Sequence, residues 1–265
     1  MLRVTVLGCG TSSGVPVPGC DCTVCTSGDP RNARTRSGVW LRLAPEANEV
    51  EDGGSVLIDT PTDLRTQALR EGVRRVDAVL YTHAHADHVF GFDELRTFGF
   101  RRRAPIPCYG PADVLDAIAT TFAYAFTPPQ QRGGGTPQVV LRPIDDATTL
   151  TLFGHEIMPI PAWHGKLPVF GYRIGPFAYM TDCNRIDPPS LARLAGVEVL
   201  ILDALRYDPH PTHYSVAQAI EVAQRIGPRR TYLTHLNHDI DYRRPAVALP
   251  NDVEFSYDGL QLDFP

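Results

Sequence analysis

Short apolar runs separated by Gly, Pro and Asp dominate the chain, a pattern that favours strands over long helices. The predicted strands are Leu2–Leu7, Val39–Leu43, Ser55–Ile58, Ala78–Tyr81, Val139–Leu141, Thr149–Phe153, Ile157–Pro161, Phe170–Ile174, Phe177–Met180, Val197–Leu202 and Tyr232–Leu233. Apolar residues at helical spacing predict helices at Thr62–Glu71, Ala112–Ala125, Pro189–Leu194 and Ser215–Ile226. Because helices are interspersed among the strands, we expect a mixed sheet system covered by helices, in one domain over residues 1–265.

The composition is that of a folded protein, with 43% hydrophobic and 21% charged residues. A net charge of −5 argues against a protein that holds long nucleic acid through phosphate contacts, whereas a metal site could still attract a small anion. No run approaches the ~20 apolar residues of a membrane span, and the apolar part of Met1–Gly10 is too short for a secretory signal. We therefore expect a cytoplasmic protein with no membrane partner and with reduced thiols.

Two loops stand out from this pattern. Residues 16–36 are rich in Pro, Gly, Cys and polar residues, and Thr127–Gln138 combines repeated Gly with several Pro and Gln. The second loop has two interpretations, a mobile surface loop or a lid over an active site.

The strongest chemical signal is the sequence Thr-His-Ala-His-Ala-Asp-His at Thr82–His88, which directly follows a predicted strand. Residues two apart in an extended segment point the same way, so His83 and His85 can bind one ion. If the chain then turns into a helix, Asp87 and His88 face a second ion beside the first. Imidazole suits zinc, and a mixture of imidazole and carboxylate also suits manganese or iron.

Three further donors, His164, Asp182 and His235, each follow a predicted strand. Loops at the carboxyl ends of strands are where sites are usually assembled. Singly, each donor could be a structural residue, but with the first motif they complete two ion sites. Asp182 is the natural bridge, because one carboxylate can span two ions about 3.5–4 Å apart. The predicted dinuclear ligands are His83, His85, Asp87, His88, His164, Asp182 and His235.

A separate cluster places the thiols of Cys20, Cys22 and Cys25 within six residues. As thiolates they can occupy three corners of a tetrahedral zinc site, and a closed thiolate-rich site is structural. His238 is the best candidate for the fourth ligand, because it lies three residues after His235 and one loop could then serve both metal sites. The alternative is a disulfide or three free cysteines, which a reducing compartment makes less favourable.

The ordered donors from His83 to His235 resemble the motif set of the metallo-β-lactamase superfamily. Asp59, in the sequence Ser-Val-Leu-Ile-Asp-Thr at Ser55–Thr60, matches that superfamily's first motif, an Asp that helps to support the metal-binding loop. The resemblance covers nearly the whole chain. It implies an α/β (α+β) protein, a four-layer αββα sandwich with the metals at one edge of two facing sheets. It does not define the substrate, because one fold can host many hydrolases.

Further motifs resemble one branch, the PhnP-type phosphodiesterases of the carbon–phosphorus lyase pathway. They are Gly10–Pro16, the Cys20/Cys22/Cys25 cluster, His164–Leu167 followed by Phe170–Tyr172, Leu233–His238, and a His shortly after Asp203. The resemblance implies hydrolysis of small or cyclic phosphodiesters such as 5-phosphoribosyl 1,2-cyclic phosphate. It also implies that Cys20, Cys22, Cys25 and His238 hold a structural zinc and that His213 is the general acid. Thr11–Ser13 and Thr127–Gln138 depart from the branch pattern, which leaves the exact substrate open.

The expected mechanism is attack on phosphorus by a hydroxide that two divalent ions, zinc or manganese, activate. The alkoxide of a sugar is a poor leaving group, and His213 could protonate it. The alternative for His213 is a helix-capping or surface residue. We count Asp87 and Asp182 as catalytic as well as metal-binding residues.

Two more residues have expected roles around the metals. Lys166, two residues after His164, is placed to meet a substrate oxygen. Asp203 ends an apolar strand and is expected to hold a ligand histidine in place, or else to be a plain structural carboxylate.

Several rival functions are compatible with these motifs. One is another hydrolase of the same superfamily: a ribonuclease, a thioesterase, a lactonase or a cyclic-nucleotide phosphodiesterase of low selectivity. Another is a non-catalytic zinc-binding interaction module, against which the full dinuclear ligand set argues. The expected partner is a small phosphodiester substrate, and a homodimer is a further expectation.

Overall fold

Strands make up most of the regular structure, as the apolar pattern predicts. The computed structural model describes residues 1–44, 53–100, 102, 104–127 and 135–265. The strands of this part of the chain are β1 (Leu2–Gly8), β2 (Gly38–Leu43), β3 (Gly54–Ile58), β4 (Ala78–Leu80), β5 (Ile106–Gly110), β6 (Val139–Pro143), β7 (Leu150–Leu152), β8 (His155–His164), β9 (Leu167–Ile174), β10 (Phe177–Met180), β11 (Val199–Asp203), β12 (Arg230–Thr234), β13 (Val253–Phe255) and β14 (Gln261–Phe264).

The helices are short and lie between the strands. They are α1 (Leu64–Glu71), α2 (Ala86–Val89), α3 (Leu95–Gly99), α4 (Ala112–Thr121), α5 (Pro188–Arg193) and α6 (Val216–Ile226), with 3-10 turns at Pro30–Asn32, Phe92–Glu94 and Ala123–Ala125. Among the described residues, no helix has the length and apolarity needed to cross a membrane.

Hydrogen bonds join the described strands into two sheets of seven. The first has the order β14-β1-β2-β3-β4-β5-β6 and the second the order β13-β12-β11-β10-β9-β8-β7. Each sheet has an antiparallel part and a parallel part, the parallel parts being β3 to β6 and β10 to β13. Parallel strands of one sheet end on the same side, so the residues that follow β3 and β4 lie together in the first sheet and those that follow β10 and β12 lie together in the second.

Three apolar layers separate the sheets and helices. The central layer lies between the two sheets and includes Leu41 from the first and Tyr179 from the second. A second layer lies between the second sheet and the helices α5 and α6. Leu200 of β11 and Ala219 of α6 belong to this buried cluster. Burial of a Val, Leu or Ile side chain stabilises the fold by about 1.5–3 kcal/mol.

The third layer packs the first sheet against α1 and α4. Leu57 of β3 lies in one buried cluster with Leu64 of α1 and Ile118 of α4. Helices therefore cover the outer face of each sheet, and the sequence-based prediction of a four-layer αββα sandwich is confirmed.

The predicted elements correspond to observed ones, although their ends differ. The predicted helix Ala112–Ala125 is α4 followed by the 3-10 turn at Ala123–Ala125. The predicted strands Ile157–Pro161 and Phe170–Ile174 are longer in the structure, because they pair along their whole length as the hairpin of β8 and β9. The sequence analysis missed β5, whose Pro107 and terminal Gly interrupt the strand pattern, and the short β13 and β14.

Replacement of Gly227 by Ala is expected to lower the free energy of unfolding by about 1 kcal/mol. Gly227 ends α6 with a φ of 73°, and an added Cβ would meet nothing within 4 Å, so the cost is backbone strain alone. Gly28→Ala is the matched control, because its Cβ also meets nothing and its φ lies outside the left-handed region. Denaturant titration measures both variants, and equal stability of the two would contradict this account.

Candidate metal centres

The segment that carries the first metal-binding motif is held at both ends by one carboxylate. Asp59, directly after β3, is fully buried. Its Oδ1 accepts a hydrogen bond from the Thr82 backbone N–H at 2.9 Å, and its Oδ2 accepts from the Thr82 hydroxyl at 2.8 Å. The same Oδ2 lies 2.7 Å from His88 Nδ1. Asp59 therefore orients the metal-binding loop, as its match to the first motif implies.

These contacts also define which ring nitrogens face the site. The Thr82 hydroxyl donates to Asp59, so it accepts from His83 Nδ1 at 3.0 Å. His88 Nδ1 donates to Asp59 in the same way. The Nε2 atoms of His83 and His88 are then the unprotonated, ligand-ready nitrogens. Sequence reasoning assigned Thr82 no role of its own, although it directly precedes His83.

Two donor groups share one carboxylate. His83, His85 and Asp182 form one group, and Asp87, His88, Asp182 and His235 form the other, with the donor atoms of each group within 4.8 Å of one another. The turn into α2 separates the two pairs of the motif, because Ala86–Val89 is helical and His85 is extended. Asp182 belongs to both groups, which is the arrangement expected of a bridging carboxylate.

The donor atoms converge to short distances from one another. His88 Nε2 lies 3.1 Å from Asp182 Oδ1 and 3.4 Å from Asp87 Oδ2. Nevertheless His83 Nε2, His88 Nε2 and Asp87 Oδ2 are buried and have no hydrogen-bond partner. Buried polar atoms without partners are costly. A pair of divalent cations would satisfy all three, so the donor set fits the metals that the fold implies.

His164 reaches the site from the opposite sheet as the last residue of β8. Its Nδ1 donates to the Thr212 carbonyl at 2.7 Å, which leaves Nε2 free for a ligand. The His164 ring centroid lies 5.1 Å from that of His85 and 4.5 Å from that of His213. Its donor atom forms a third group with Asp182 and His213.

His213 lies at the rim of the donor groups and is held by Asp203. Its Nδ1 is 3.1 Å from Asp203 Oδ1, and the same carboxylate accepts from the backbone N–H groups of Asp182 and Tyr214, each at 3.0 Å. The sequence predicts that Asp203 orients a ligand histidine, whereas the histidine it contacts is His213. The reason is that His213 follows the end of β11 by only ten residues and folds back on Asp203.

Three residues of the site that follow strands have left-handed backbone conformations. Asp59, Asp182 and His235 have φ values of 64°, 50° and 61°. Such conformations cost of order 1–3 kcal/mol in a residue other than Gly, and they persist where the surrounding structure over-determines them. Each of these residues turns the chain sharply at the end of a strand, with its side chain in the site.

His235 has polar neighbours that sequence reasoning missed. The Thr11 hydroxyl lies 3.3 Å from its Nε2, the Ser37 hydroxyl 3.4 Å from its Nδ1, and Asp182 Oδ1 3.0 Å from the same Nδ1. Both hydroxyls come from the amino-terminal part of the chain. No local signal in the sequence identifies them, because the contacts form only when β1 and β12 are brought together.

Burial tunes three of the donor histidines toward metal binding. It lowers the pKa of His83 well below its ordinary value, and it also lowers the pKa values of His85 and His164. Rings that are neutral near pH 7 bind an ion without first releasing a proton. Burial opposes ionisation of Asp182 as well, but His235 and His88 beside it hold its pKa well below the usual range.

The cysteine cluster forms a second type of donor group. His238 Nδ1 lies 3.2 Å from Cys20 Sγ and 3.6 Å from the sulfurs of both Cys22 and Cys25. Zinc–sulfur and zinc–nitrogen bonds at tetrahedral angles would separate these atoms by roughly 3.5 Å. A backbone hydrogen bond from Cys25 lowers the pKa of the Cys22 thiol to about 6. All six cysteines are free thiols in the structure, so the disulfide alternative is not supported.

A buried arginine stabilises the loop that carries His238. Arg34 is only 1% exposed. Its guanidinium donates to the carbonyls of Asn237 and Ile240 at 3.0 and 2.7 Å and to Asn32 Oδ1 at 2.9 Å. This side chain therefore holds the loop on both sides of His238. Sequence analysis did not identify it.

Two other predictions concern the surroundings of the site. Lys166 is exposed in the two-residue turn between β8 and β9, next to Gly165 in a left-handed conformation. The loop at Thr127–Gln138 lies mostly outside the described residues, since residues 128–134 are not among them.

Comparison with known proteins identifies the family. The model of the β-lactamase superfamily domain matches residues 55–236. A solved structure of a diphosphatase from the PhnP family is 38% identical and superimposes with a TM-score of 0.90, covering 100% of this chain and 98% of that chain.

Two relatives show how widely this fold is used. An octanoyltransferase of Porphyromonas gingivalis is 35% identical over 263 residues, which are 98% of this chain. The chain spans about half of that protein, 51% of its length, so its name describes a protein of which this chain resembles one part. A ribonuclease Z of Anoxybacillus flavithermus is 30% identical over 281 residues, covering 80% of this chain and 84% of that protein.

The fold and the donor groups define a metal-dependent hydrolase of the metallo-β-lactamase type. The chain belongs to the β-lactamase superfamily and, within it, to the PhnP family. The resemblance inferred from the ordered donors and the cysteine cluster is thereby confirmed.

Thr82→Val is expected to weaken binding of the dinuclear metals by about 10–100-fold, because contacts behind the ligands orient them. Valine has the shape of threonine but lacks the hydroxyl that links Asp59 to His83 Nδ1. Thr82→Ser keeps that hydroxyl and should retain most of the affinity. Competition titration with a chromophoric chelator measures both, and equal affinities for the two variants would remove the proposed role of Thr82.

Cys22→Ser is expected to lower the zinc content by one ion per chain and to lower the melting temperature. The thiolate is one of the four donors of this group, with those of Cys20, Cys25 and His238, and structural zinc contributes directly to folding. Cys108→Ala is the control, because Cys108 is buried away from the four-donor group. Elemental analysis of the purified proteins provides the measurement. A Cys22→Ser protein with the full metal content would contradict a zinc site in this loop.

Proposed function

We propose that this chain is a phosphodiesterase for small or cyclic phosphodiesters. The observation that carries the proposal is the combination of two donor groups sharing Asp182 with a further histidine, His213, at their edge. The donor groups suit a pair of ions, and His213, which Asp203 orients through its Nδ1, is a further imidazole outside those two groups.

Two divalent ions, zinc or manganese, are the proposed catalytic metals. His83, His85, His164 and Asp182 would hold one ion, and Asp87, His88, Asp182 and His235 the other. Such a pair supplies a nucleophile from water near neutral pH and neutralises charge on the phosphoryl oxygens. The proposed structural zinc is held by Cys20, Cys22, Cys25 and His238.

His213 is the proposed general acid. Its Nδ1–H donates to Asp203, so it would act as an acid in the doubly protonated form, with Nε2–H giving its proton to the leaving oxygen. Burial opposes that form, because it lowers the pKa of His213. Asp203 also receives two backbone N–H groups, which keep the carboxylate in a fixed position. His213 is 7% exposed, a degree of burial that a merely surface histidine would not have.

Chemistry at phosphorus is supported by the names of two relatives, a diphosphatase and a ribonuclease. A proton donor matters most when the leaving group is an alkoxide, because a thiolate or a phosphate leaves without one. The presence of His213 therefore favours an alkyl phosphodiester over a thioester. Lys166, exposed two residues after His164, is the proposed contact for a substrate oxygen.

Hydrolysis of a phosphoanhydride is the second candidate activity. It is favoured by one observation, the diphosphatase activity in the name of a family member 38% identical to this chain. The two activities differ in their need for His213, since the leaving group of an anhydride is a weakly basic phosphate. A non-catalytic zinc module is a weaker candidate, because it would need neither the shared Asp182 nor a buried His213.

His213→Ala is expected to lower kcat on an alkyl phosphodiester by about 10²–10⁴-fold. On bis-p-nitrophenyl phosphate, whose leaving group needs no proton, the loss should be far smaller. His210→Ala is the matched control, because that histidine lies beside His213, at 5.2 Å between ring centroids, but does not contact Asp203. Steady-state kinetics with elemental analysis would show whether the variants keep their metals. Equal losses of kcat on the alkyl phosphodiester and on bis-p-nitrophenyl phosphate would exclude His213 as the acid. Activity of His213→Ala that is unchanged only on a phosphoanhydride would favour the second candidate.

A further inference from the structure

Exposed phenyl rings lie beside the helix that carries two of the donors. Phe90, at the carboxyl end of α2, is 53% exposed, and Phe126, after the 3-10 turn at Ala123–Ala125, is 38% exposed. Phe122 and Phe92 connect them. The Phe122 ring contacts Phe90 edge to face at 6.1 Å and stacks on Phe92 at 4.7 Å, and Phe92 lies 6.0 Å from Phe126 between ring centroids. We call Phe90, Phe122 and Phe126 the phenyl cluster, and the fully buried Phe92 is its base.

The phenyl cluster is close to the catalytic donors through helix geometry. Phe90 N–H donates to the Ala86 carbonyl at 2.9 Å, so α2 is helical as far as Phe90. Residues three apart on a helix are neighbours with Cβ atoms about 5–6 Å apart. Phe90 is three residues after Asp87, a member of the second donor group. Its ring therefore begins next to a metal-facing carboxylate and extends into solvent.

Surrounding contacts fix the cluster in place. The Tyr124 hydroxyl donates to the Asp93 carboxylate, which pairs with Arg96 at 3.3 Å. This joins the 3-10 turn below the cluster to the turn that carries Phe92. The backbone segments that carry Phe92, Phe122 and Phe126 are consequently held together before any ligand binds, which lowers the entropy lost on binding.

We propose that the phenyl cluster is a stacking subsite for the nucleobase of a nucleoside phosphodiester. The inference rests on the proposed phosphodiesterase function and specifies the substrate class. A phosphodiester at the donors projects its ester groups away from them, and the exposed Phe90 lies about one helical turn after Asp87. Flat aromatic faces bind bases of any sequence by stacking, whereas a bare sugar phosphate would gain nothing from them. The net charge of −5 matches a small nucleotide better than a polynucleotide.

The test compares two matched substrates, adenosine 2′,3′-cyclic phosphate and methyl riboside 2,3-cyclic phosphate, which differ in the base. The parent enzyme should prefer the nucleotide by about ten-fold in kcat/KM, and Phe90→Leu should reduce that preference about ten-fold, because leucine keeps apolar bulk but not a planar face. Phe90→Trp should retain it. Phe100→Leu is the control, because Phe100 is 69% exposed and has no ring contact with the cluster among the described residues. Equal preference in the parent and Phe90→Leu would overturn the subsite.

Direct binding separates this inference from the phosphodiesterase proposal. Calorimetry would titrate AMP and ribose 5-phosphate into the metal-loaded protein, which needs no turnover. A Kd for AMP at least ten-fold below that for ribose 5-phosphate, lost in Phe90→Leu, would support the subsite even if neither cyclic phosphate were hydrolysed. The same Kd for both ligands would overturn it while phosphodiester hydrolysis could stand. A shift of oligomeric state in Phe90→Leu, seen by light scattering, would instead assign the rings to contact with a second copy and would also overturn it.

Discussion

The buried carboxylate of Asp59 is the constraint on which the catalytic centre depends. It lies at the end of β3, fully buried, in a backbone conformation with φ of 64°. From there it accepts bonds from both ends of the segment Thr82–His88. Without a partner, a buried carboxylate would be very unfavourable, so the donors of this segment and Asp59 stabilise one another. The result is that His83 and His88 turn their Nε2 atoms to the same side.

The same reasoning, applied to the other acids, explains why the fold suits cations. Asp59, Asp87, Asp182 and Asp203 are all buried at one edge of the two sheets. Asp59 and Asp203 each accept hydrogen bonds from backbone N–H groups and from an imidazole. Asp87 and Asp182 instead lie close to Nε2 of His88, the nitrogen that Asp59 does not contact. Positive charge between Asp87 and Asp182 would remove their repulsion. Binding of divalent ions should therefore also stabilise the folded state by mass action, by about 2.7 kcal/mol at a concentration 100 times Kd.

Much of this centre could be predicted from local sequence. His83, His85, Asp87 and His88 follow one strand at a fixed spacing, and His164, Asp182 and His235 follow others, so strand ends alone indicated the donors. Cys20, Cys22 and Cys25 were equally visible. The layered fold followed from the resemblance. β5 was hidden because Pro107 and Gly110 interrupt its pattern, and β13 and β14 were hidden because three or four residues are too few to show a period.

Contacts between distant parts of the chain could not be predicted in this way. Thr11 and Ser37 reach His235 across 224 and 198 residues, and Arg34 reaches Ile240 across 206. A hydroxyl or a guanidinium has no spacing rule that reveals such a partner. The pairing of Asp203 with His213 was missed for a related reason: both were recognised as polar residues near the site, but the loop between them determines which histidine meets the carboxylate.

The amino-terminal segment explains what the proposed structural ion at His238 would contribute to the protein. His235 leaves β12 in a strained conformation, so the residues after it must be held firmly. Backbone bonds join Leu236 to Cys9 and Thr11, Arg34 holds the carbonyls of Asn237 and Ile240, and the cysteine cluster surrounds His238. All three restraints come from residues before β2. A zinc ion at His238 would thus act on catalysis from a distance, because it fixes the loop that delivers His235 without touching the substrate.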